Sequence, residues 1–295
     1  MCFMKKISLF LTLMALITLI SSCDRIEDGA YSPKEKISKI YSDDMDGGKE
    51  LEAVWNWNKK QLQSIDYYWN DIINYSEYYT YNNDGRIESI IDTDNEEKIK
   101  YEYDDKKLSK AYYYDGGELV YRYDFVYDGN KISKIIWKVN TDEFWKKDSK
   151  KRHLDPINIM LPQYDIKDIK KFVTKANISR NNITELPIKL EWDKDNVSKM
   201  SMDITIEGCS IGVIMEFKYD NKMNPFKNLL TLYPEESGCF EFSKNNVTEI
   251  KYTEYIKEGS YNESNTDVEY FAYTYDGKYP VTRDDGWSKE YFEYK

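Results

Sequence analysis

The chain has 295 residues and a formal net charge of −11, from 53 acids against 42 Lys and Arg, with a single His. That balance argues against nucleic acid and anionic lipid as partners, since both select positive charge. One histidine, His153 in the run Lys150-Lys151-Arg152-His153, cannot build a multi-His zinc site, and any Ser-His-Asp or Cys-His centre would have to use it.

The first element is a leader. Lys5 and Lys6 precede an apolar run from Ile7 to Ile20, and Ser21, Ser22 and Cys23 follow. This is the layout of a secretory signal peptide, and the run falls short of the roughly 20 apolar residues that span a bilayer. Ile20-Ser21-Ser22-Cys23 resembles the lipobox of bacterial lipoproteins. The resemblance implies that Cys23 is acylated and becomes the first mature residue, with 1–22 as signal peptide and 23–34 as tether. Its partner is then a membrane, the outer membrane or cell surface, and several acyl chains at about 0.8 kcal/mol per buried CH₂ make the anchor permanent. Losing residues 1–22 removes Lys5 and Lys6 and no acid, so the net charge goes from −11 to −13. Asp24, Glu27 and Asp28 behind the anchor resemble the acidic surface-export stretch of Bacteroidota lipoproteins; a solvated acidic tether is the alternative.

Residues 35–295 form one repetitive domain. The unit is aromatic-x-aromatic, a turn of Asp, Asn, Gly or Lys, then aliphatic-x-x-aliphatic. Trp55-Asn56-Trp57 leads to Leu62 and Ile65, Tyr79-Thr80-Tyr81 to Ile87 and Ile90, Tyr101-Glu102-Tyr103 to Leu108 and Ala111, and Phe125-Val126-Tyr127 to Ile132 and Ile135. Further copies are Leu190-Glu191-Trp192 with Val197 and Met200, and Phe240-Glu241-Phe242 with Val247 and Ile250. Phe217-Lys218-Tyr219 into Asn224-Pro225-Phe226 and Tyr273-Thr274-Tyr275 into Tyr279-Pro280 are degenerate, and Ile37-Ser38-Lys39-Ile40 is half a copy. Each full unit reads as a hairpin, with the two aromatics on one strand face and Gly85 and Gly129 at positive φ in the turns. The i, i+3 aliphatic pair breaks the period of two; a bulge at the first aliphatic explains it, with a helical pair as the rival.

Between about 138 and 187 the motif is absent. Asp165 to Lys175 has apolar residues at 166, 169, 172 and 173, which predicts a short helix. Some 14 to 16 short strands with one aromatic face give an all-β fold of antiparallel hairpins, rolled into a large barrel-like sheet or folded as a sandwich. A lipid-spanning barrel is disfavoured by short strands and a Tyr-heavy apolar face. The Tyr-x-Tyr-Asp…Gly-Lys/Arg-Ile-x-x-Ile unit resembles the YD-type repeats of bacterial surface proteins. Together with the lipobox, the 219–226 segment and the final Tyr273–Pro280 segment, the layout resembles uncharacterised Bacteroidota lipoproteins with a porin-like fold, a likeness that carries no catalytic residues and covers most of 37–295.

No catalytic residue, metal site or cofactor is called. Asp43, Asp44 and Asp46 before Gly47-Gly48 do not complete an EF-hand loop. Cys209 and Cys239 would meet in an oxidising compartment, and a disulfide is possible where loops fold inward. Trp55, Trp57 and Trp69 crowd adjacent strands and are the candidate ligand-binding aromatics, for a glycan or a surface protein; a core role is their alternative. Two functions remain: a non-catalytic surface binding or structural module, or a hydrolase using a carboxylate pair.

Overall fold

The computed structural model describes residues 30–44, 48–140, 183–206, 209–231 and 240–295. The leader, Cys23, His153, the Asp165–Lys175 segment, Asp46 and Cys239 lie outside the described residues. Seventeen strands are described: β1 (Ile37–Asp44), β2 (Gly48–Asn58), β3 (Gln61–Trp69), β4 (Ile72–Tyr81), β5 (Ile87–Asp92), β6 (Glu97–Asp104), β7 (Lys107–Asp115), β8 (Glu118–Asp128), β9 (Lys131–Asn140), β10 (Ile183–Asp193), β11 (Asn196–Ile206), β12 (Cys209–Met223), β13 (Asn245–Glu258), β14 (Tyr261–Tyr270), β15 (Ala272–Asp276), β16 (Tyr279–Asp284) and β17 (Ser288–Tyr294).

They form one antiparallel sheet that rolls into a nearly closed barrel. Each strand pairs with the next from β1 to β14, β15 pairs with β16, β16 with β17, and β17 returns to β1. β14 and β15 are one extended run that changes partner at Phe271: the first half lies on β13, the second on β16. All ten residues of β14 are exposed. The turns that carry the repeat collect at one end, called lower here, along with Ile37 and Tyr294; β1–β2, β3–β4, β5–β6, β7–β8, β13–β14 and β16–β17 turn at the upper end.

The phase break in the repeat is a bulge. Tyr81 lies opposite Ile87 and Thr80 opposite Ser89, which leaves Glu88 extra. The same slip leaves Gln63, Ser109, Ser133, Ser198, Thr248 and Val281 extra in the other hairpins. Each bulge turns the first aliphatic inward under the turn. Gly85 and Gly129 have φ of 76° and 59°, where Gly costs least.

The half copy at 37–40 is completed from the other end of the chain. Ile37 lies opposite Tyr294 and Lys39 opposite Glu293, with Ser38 extra, so Phe292-Glu293-Tyr294 is the missing aromatic pair. The ring is then circular. The carbonyl of each first aliphatic accepts a hydrogen bond from an aromatic of the following hairpin. Trp57 Nε1 donates to Ile37 (2.7 Å), Tyr81 to Leu62 (2.8 Å), Tyr103 to Ile87 (2.7 Å) and Trp192 Nε1 to Ile132 (2.7 Å). Tyr219 donates to Val197 (2.6 Å), Tyr273 to Val247 (2.9 Å) and Tyr294 to Pro280 (2.7 Å), and Tyr127 bonds the Leu108 backbone.

One predicted copy is corrected. Val247 and Ile250 belong with Phe217-Lys218-Tyr219, because Tyr219 lies opposite Val247. Phe240–Phe242 is instead a 3-10 turn. It and residues 224–231 fold into the lower opening as a plug. Phe226 reaches Trp55 and Phe292 at ring-centroid distances of 6.1 and 6.0 Å, and Phe242 reaches Phe125 at 6.4 Å. Tyr101 donates to Thr231 O at 2.5 Å, and Tyr31 to Pro225 O at 3.2 Å. Leu229 and Leu230 are buried with them. A single apolar cluster joins wall and plug.

Strand length does not argue against a membrane barrel, since β12 and β13 have 15 and 14 residues. The strands read short because the motif marks only their lower halves. Orientation is what decides. Most Ile, Leu, Tyr and Trp of the strands face in, while the outer wall carries ion pairs beside a few exposed apolar side chains such as Tyr78 and Leu119. Lys138 bridges Asp124 (3.1 Å) and Glu185 (2.6 Å), Lys199 meets Glu191 (3.1 Å), Lys218 meets Glu249 (2.8 Å) and Lys251 meets Glu216 (2.9 Å). A Lys facing lipid costs about 2–4 kcal/mol at the midplane. This wall is built to face water.

Candidate functional site

Strand alternation places two of the three candidate tryptophans inside. Trp55 is 4% exposed, within ring-contact range of Tyr31, Trp57 and Phe226. Trp57 is half-buried, holds the Ile37 carbonyl, and has Lys36 Nζ 5.4 Å from its ring centre. Trp55 is thus part of the core, touched by the plug through Phe226, while Trp57 is partly buried beside it. Trp69 is different: it ends β3 at the upper tip and is 72% exposed. Cys209 opens β12 opposite Ile206, while Cys239 lies outside the described residues.

The upper end carries a further tryptophan that the sequence reading missed. Trp287 follows Asp284-Asp285-Gly286 at the β16–β17 tip and is 81% exposed. Asp285 receives the backbone N–H groups of Trp287 and Ser288 at 2.8 Å each, which fixes the turn. Although burial pushes the Asp285 carboxyl up, those bonds hold its pKa below the usual value. Asp-Asp-Gly is turn chemistry, so the ring behind it had to sit at a tip. Trp287 and Trp69 flank β17, β1, β2 and β3, which at ~4.8 Å per strand puts their strands about 14 Å apart. Ile72 (70% exposed) and Ile73 stand beside Trp69 across a turn made by Asn70 and Asp71, both at positive φ.

The two ends differ in charge. The upper turns hold Asp71, Asp94, Glu96, Glu118 and Asp285; the lower turns hold Lys59, Arg86, Lys107, Lys131, Lys194 and Lys278. The same lower turns also hold Asp84, Asp104, Asp105, Asp128, Asp193, Asp195 and Asp276, so the upper turns are acidic and the lower turns are of mixed sign. The lower cations are positioned by the fold. Lys107 Nζ lies 5.1 Å from the Tyr127 ring centre and donates to Gly129 O at 2.6 Å. Lys131 lies 5.4 Å from the Trp192 ring centre and donates to Lys194 O. Lys222 repeats this on Tyr275 (5.4 Å) and Gly277 O (3.0 Å).

Between the plug and the β6–β7, β8–β9 and β10–β11 turns lies a cavity of about 560 Å³. Lys106, Lys107, Lys131 and Lys227 line it against one acid, Asp195, which itself meets Lys244 at 3.6 Å. Tyr103, Tyr127 and Trp192 form its sides; Leu108, Ile132, Leu230 and Phe242 form its apolar floor. Burial pushes the Tyr127 hydroxyl up to about 12 and lowers the Lys227 ammonium, which Asp195 raises in part and Lys244 lowers further.

The interior acids are engaged structurally. Glu77 accepts from Tyr79 (2.8 Å) and Tyr67 (3.3 Å), and Asp92 accepts the N–H groups of Asp94 and Asn95. Glu254 accepts from Tyr252 at 2.8 Å, and Glu290 pairs with Arg283.

Two solved structures are similar to the chain. A porin-like protein from Bacteroides uniformis ATCC 8492 is 10% identical with a TM-score of 0.46, covering 90% of this chain and 100% of its own. A porin-like protein from Bacteroides vulgatus ATCC 8482 is 8% identical with a TM-score of 0.28, covering 88% of this chain and 99% of its own. No protein-family model matches the chain, and no curated protein does.

Proposed function

We propose that this chain is a non-catalytic binding module, acylated at Cys23 and held at an outer-membrane surface, which presents its upper rim to a glycan or a surface protein. The observation that carries the reading is the pair of exposed rings, Trp69 and Trp287, on hairpin tips of a rigid barrel. Large apolar side chains held out on ordered turns serve as contact surface. The orientation is consistent. Tyr31 and Ala30 are bound into the lower plug, so the described chain begins at the end opposite the upper rim. The lower turns mix both signs while the upper turns are acidic, so the lower end is the one less repelled by an anionic membrane surface. The inward apolar face and plugged opening speak against a solute channel, and the engaged interior acids weigh against a carboxylate-pair hydrolase.

The test compares the wild type with Trp69→Ser/Trp287→Ser on glycan arrays and in pull-downs of surface proteins. Binding lost in the double variant, with melting unchanged, supports the reading. Binding that survives it, or turnover that disappears with one carboxylate, overturns it.

A further inference from the structure

We propose that the lower-end cavity binds a phosphomonoester, with its phosphate on the lysines and its organic part on the apolar floor. This stands apart from the upper-rim reading, at the opposite end of the barrel. Four ammonium groups line the cavity against one carboxylate, and that carboxylate is already shared with Lys244. Such an excess of positive charge in a recess favours a dianion over a monoanion, because Coulomb attraction scales with charge and is less screened away from bulk water. A phosphomonoester carries about −1.5 to −2 at neutral pH, where a carboxylate carries −1 at most.

The lysines come preset. Lys107 and Lys131 are each held by a turn carbonyl and an aromatic face, so little side-chain freedom is lost on binding. Each ammonium keeps donors beyond its one carbonyl bond, since it has three. Lys227 stands on the plug side, across the cavity from the turn lysines, and its pKa is lowered chiefly by burial and further by Lys244, with Asp195 opposing. The floor is apolar, and about 560 Å³ falls in the range of small-molecule sites. Inorganic phosphate would satisfy the lysines alone; a ring or chain attached to it also covers Leu108, Ile132, Leu230 and Phe242.

Two sources share this chemistry: a soluble phosphorylated compound and a lipid headgroup. The probes are phenyl phosphate, inorganic phosphate and phenol in calorimetric titrations at low salt, and flotation with phosphatidic acid or phosphatidylcholine vesicles using Cys23→Ser protein, which has no acyl anchor. We expect phenyl phosphate to bind at least tenfold tighter than inorganic phosphate, and phenol not to bind. Lys106→Glu and Lys227→Glu should each weaken it at least tenfold while circular dichroism and melting stay unchanged, and Trp69→Ser/Trp287→Ser should leave it intact. Flotation with phosphatidic acid alone, lost in Lys227→Glu, identifies the lipid source; titration binding without flotation identifies the soluble one. Absence of both, or equal binding in the lysine variants, overturns the proposal.

Discussion

The hydroxyl-to-bulge ring makes a sharp claim about Tyr81. Its OH donates to Leu62 O at 2.8 Å, and Leu62 is wholly buried at a bulge where the ladder has slipped. Tyr81→Phe keeps the ring and removes only the donor. A net hydrogen bond is worth about 0.5–1.5 kcal/mol, and stranding a buried acceptor adds to that, so the cost should be about 1–2 kcal/mol. For a domain of this size, each kcal/mol moves the melting temperature by roughly 2–4 °C. Tyr78 is the control: three residues away on the outer wall, 46% exposed, its OH loss should stay within about 0.5 kcal/mol. Both variants are compared with the wild type by urea and thermal unfolding. If Tyr81→Phe costs no more than Tyr78→Phe, the ring is ornament and the bulges are held by the ladder alone.

Two further outcomes follow from local geometry. Gly85→Val should destabilise by about 1 kcal/mol or more, because φ is 76° there and the penalty is backbone strain, with nothing near the missing Cβ to clash; unchanged urea midpoints would refute it. Glu254 has its pKa raised above 4.5 by burial, with the Tyr252 hydroxyl opposing and Asp267 reinforcing. A carboxyl raised on folding stabilises fully below its unfolded pKa and loses that contribution as pH rises through the folded value. Glu254→Gln still accepts from Tyr252, so it should melt higher than wild type at pH 7 and equally at pH 4; a deficit of the same size at both would contradict the assignment.

Much of this barrel was legible because one short motif encodes a whole hairpin. Aromatics two apart identify a strand face, Asn-Asp-Gly and Asp-Gly-Asn identify turns, and the aliphatic pair three apart identifies the bulge. The sequence could not say which way that face points, and therefore whether Trp55 was platform or core. Periodicity is the same either way; only closure of the sheet and the arrival of Phe226 decide. Nor could it join Ile37 to Tyr294, since local pattern carries nothing about partners at opposite ends of a chain. Phe240-Glu241-Phe242 matched the motif and misled, because a plug residue and a strand residue are both aromatic for the same reason, burial. Trp287 was overlooked although Asp-Asp-Gly marked its turn. The lower cavity was invisible, as its lysines converge from three separate segments.

The division between the ends has a cause in the repeat itself. At the lower end every hairpin must satisfy its neighbour: an aromatic donates to the preceding bulge, and in several copies a lysine reaches the following turn carbonyl. Those positions are committed to closing the barrel, and a cation there is first a structural part. Among the described upper turns such a link joins Gly116 N–H to Glu96 O at 3.2 Å, and no repeating pattern of them runs round that end. The upper turns are free to hold acids on Asp92–Glu97 and Asp284–Asp285, and to hold out Trp69, Ile72 and Trp287, side chains that cost apolar exposure and add nothing to the wall. The plug is the lower end's exception: one hairpin connection released from the motif, long enough to cross the opening and bring Lys227 to face the rim lysines. Variation that alters ligand choice without unfolding the barrel therefore has two places to act, the upper tips and the 224–231 plug, and substitutions elsewhere in the ring act on stability first.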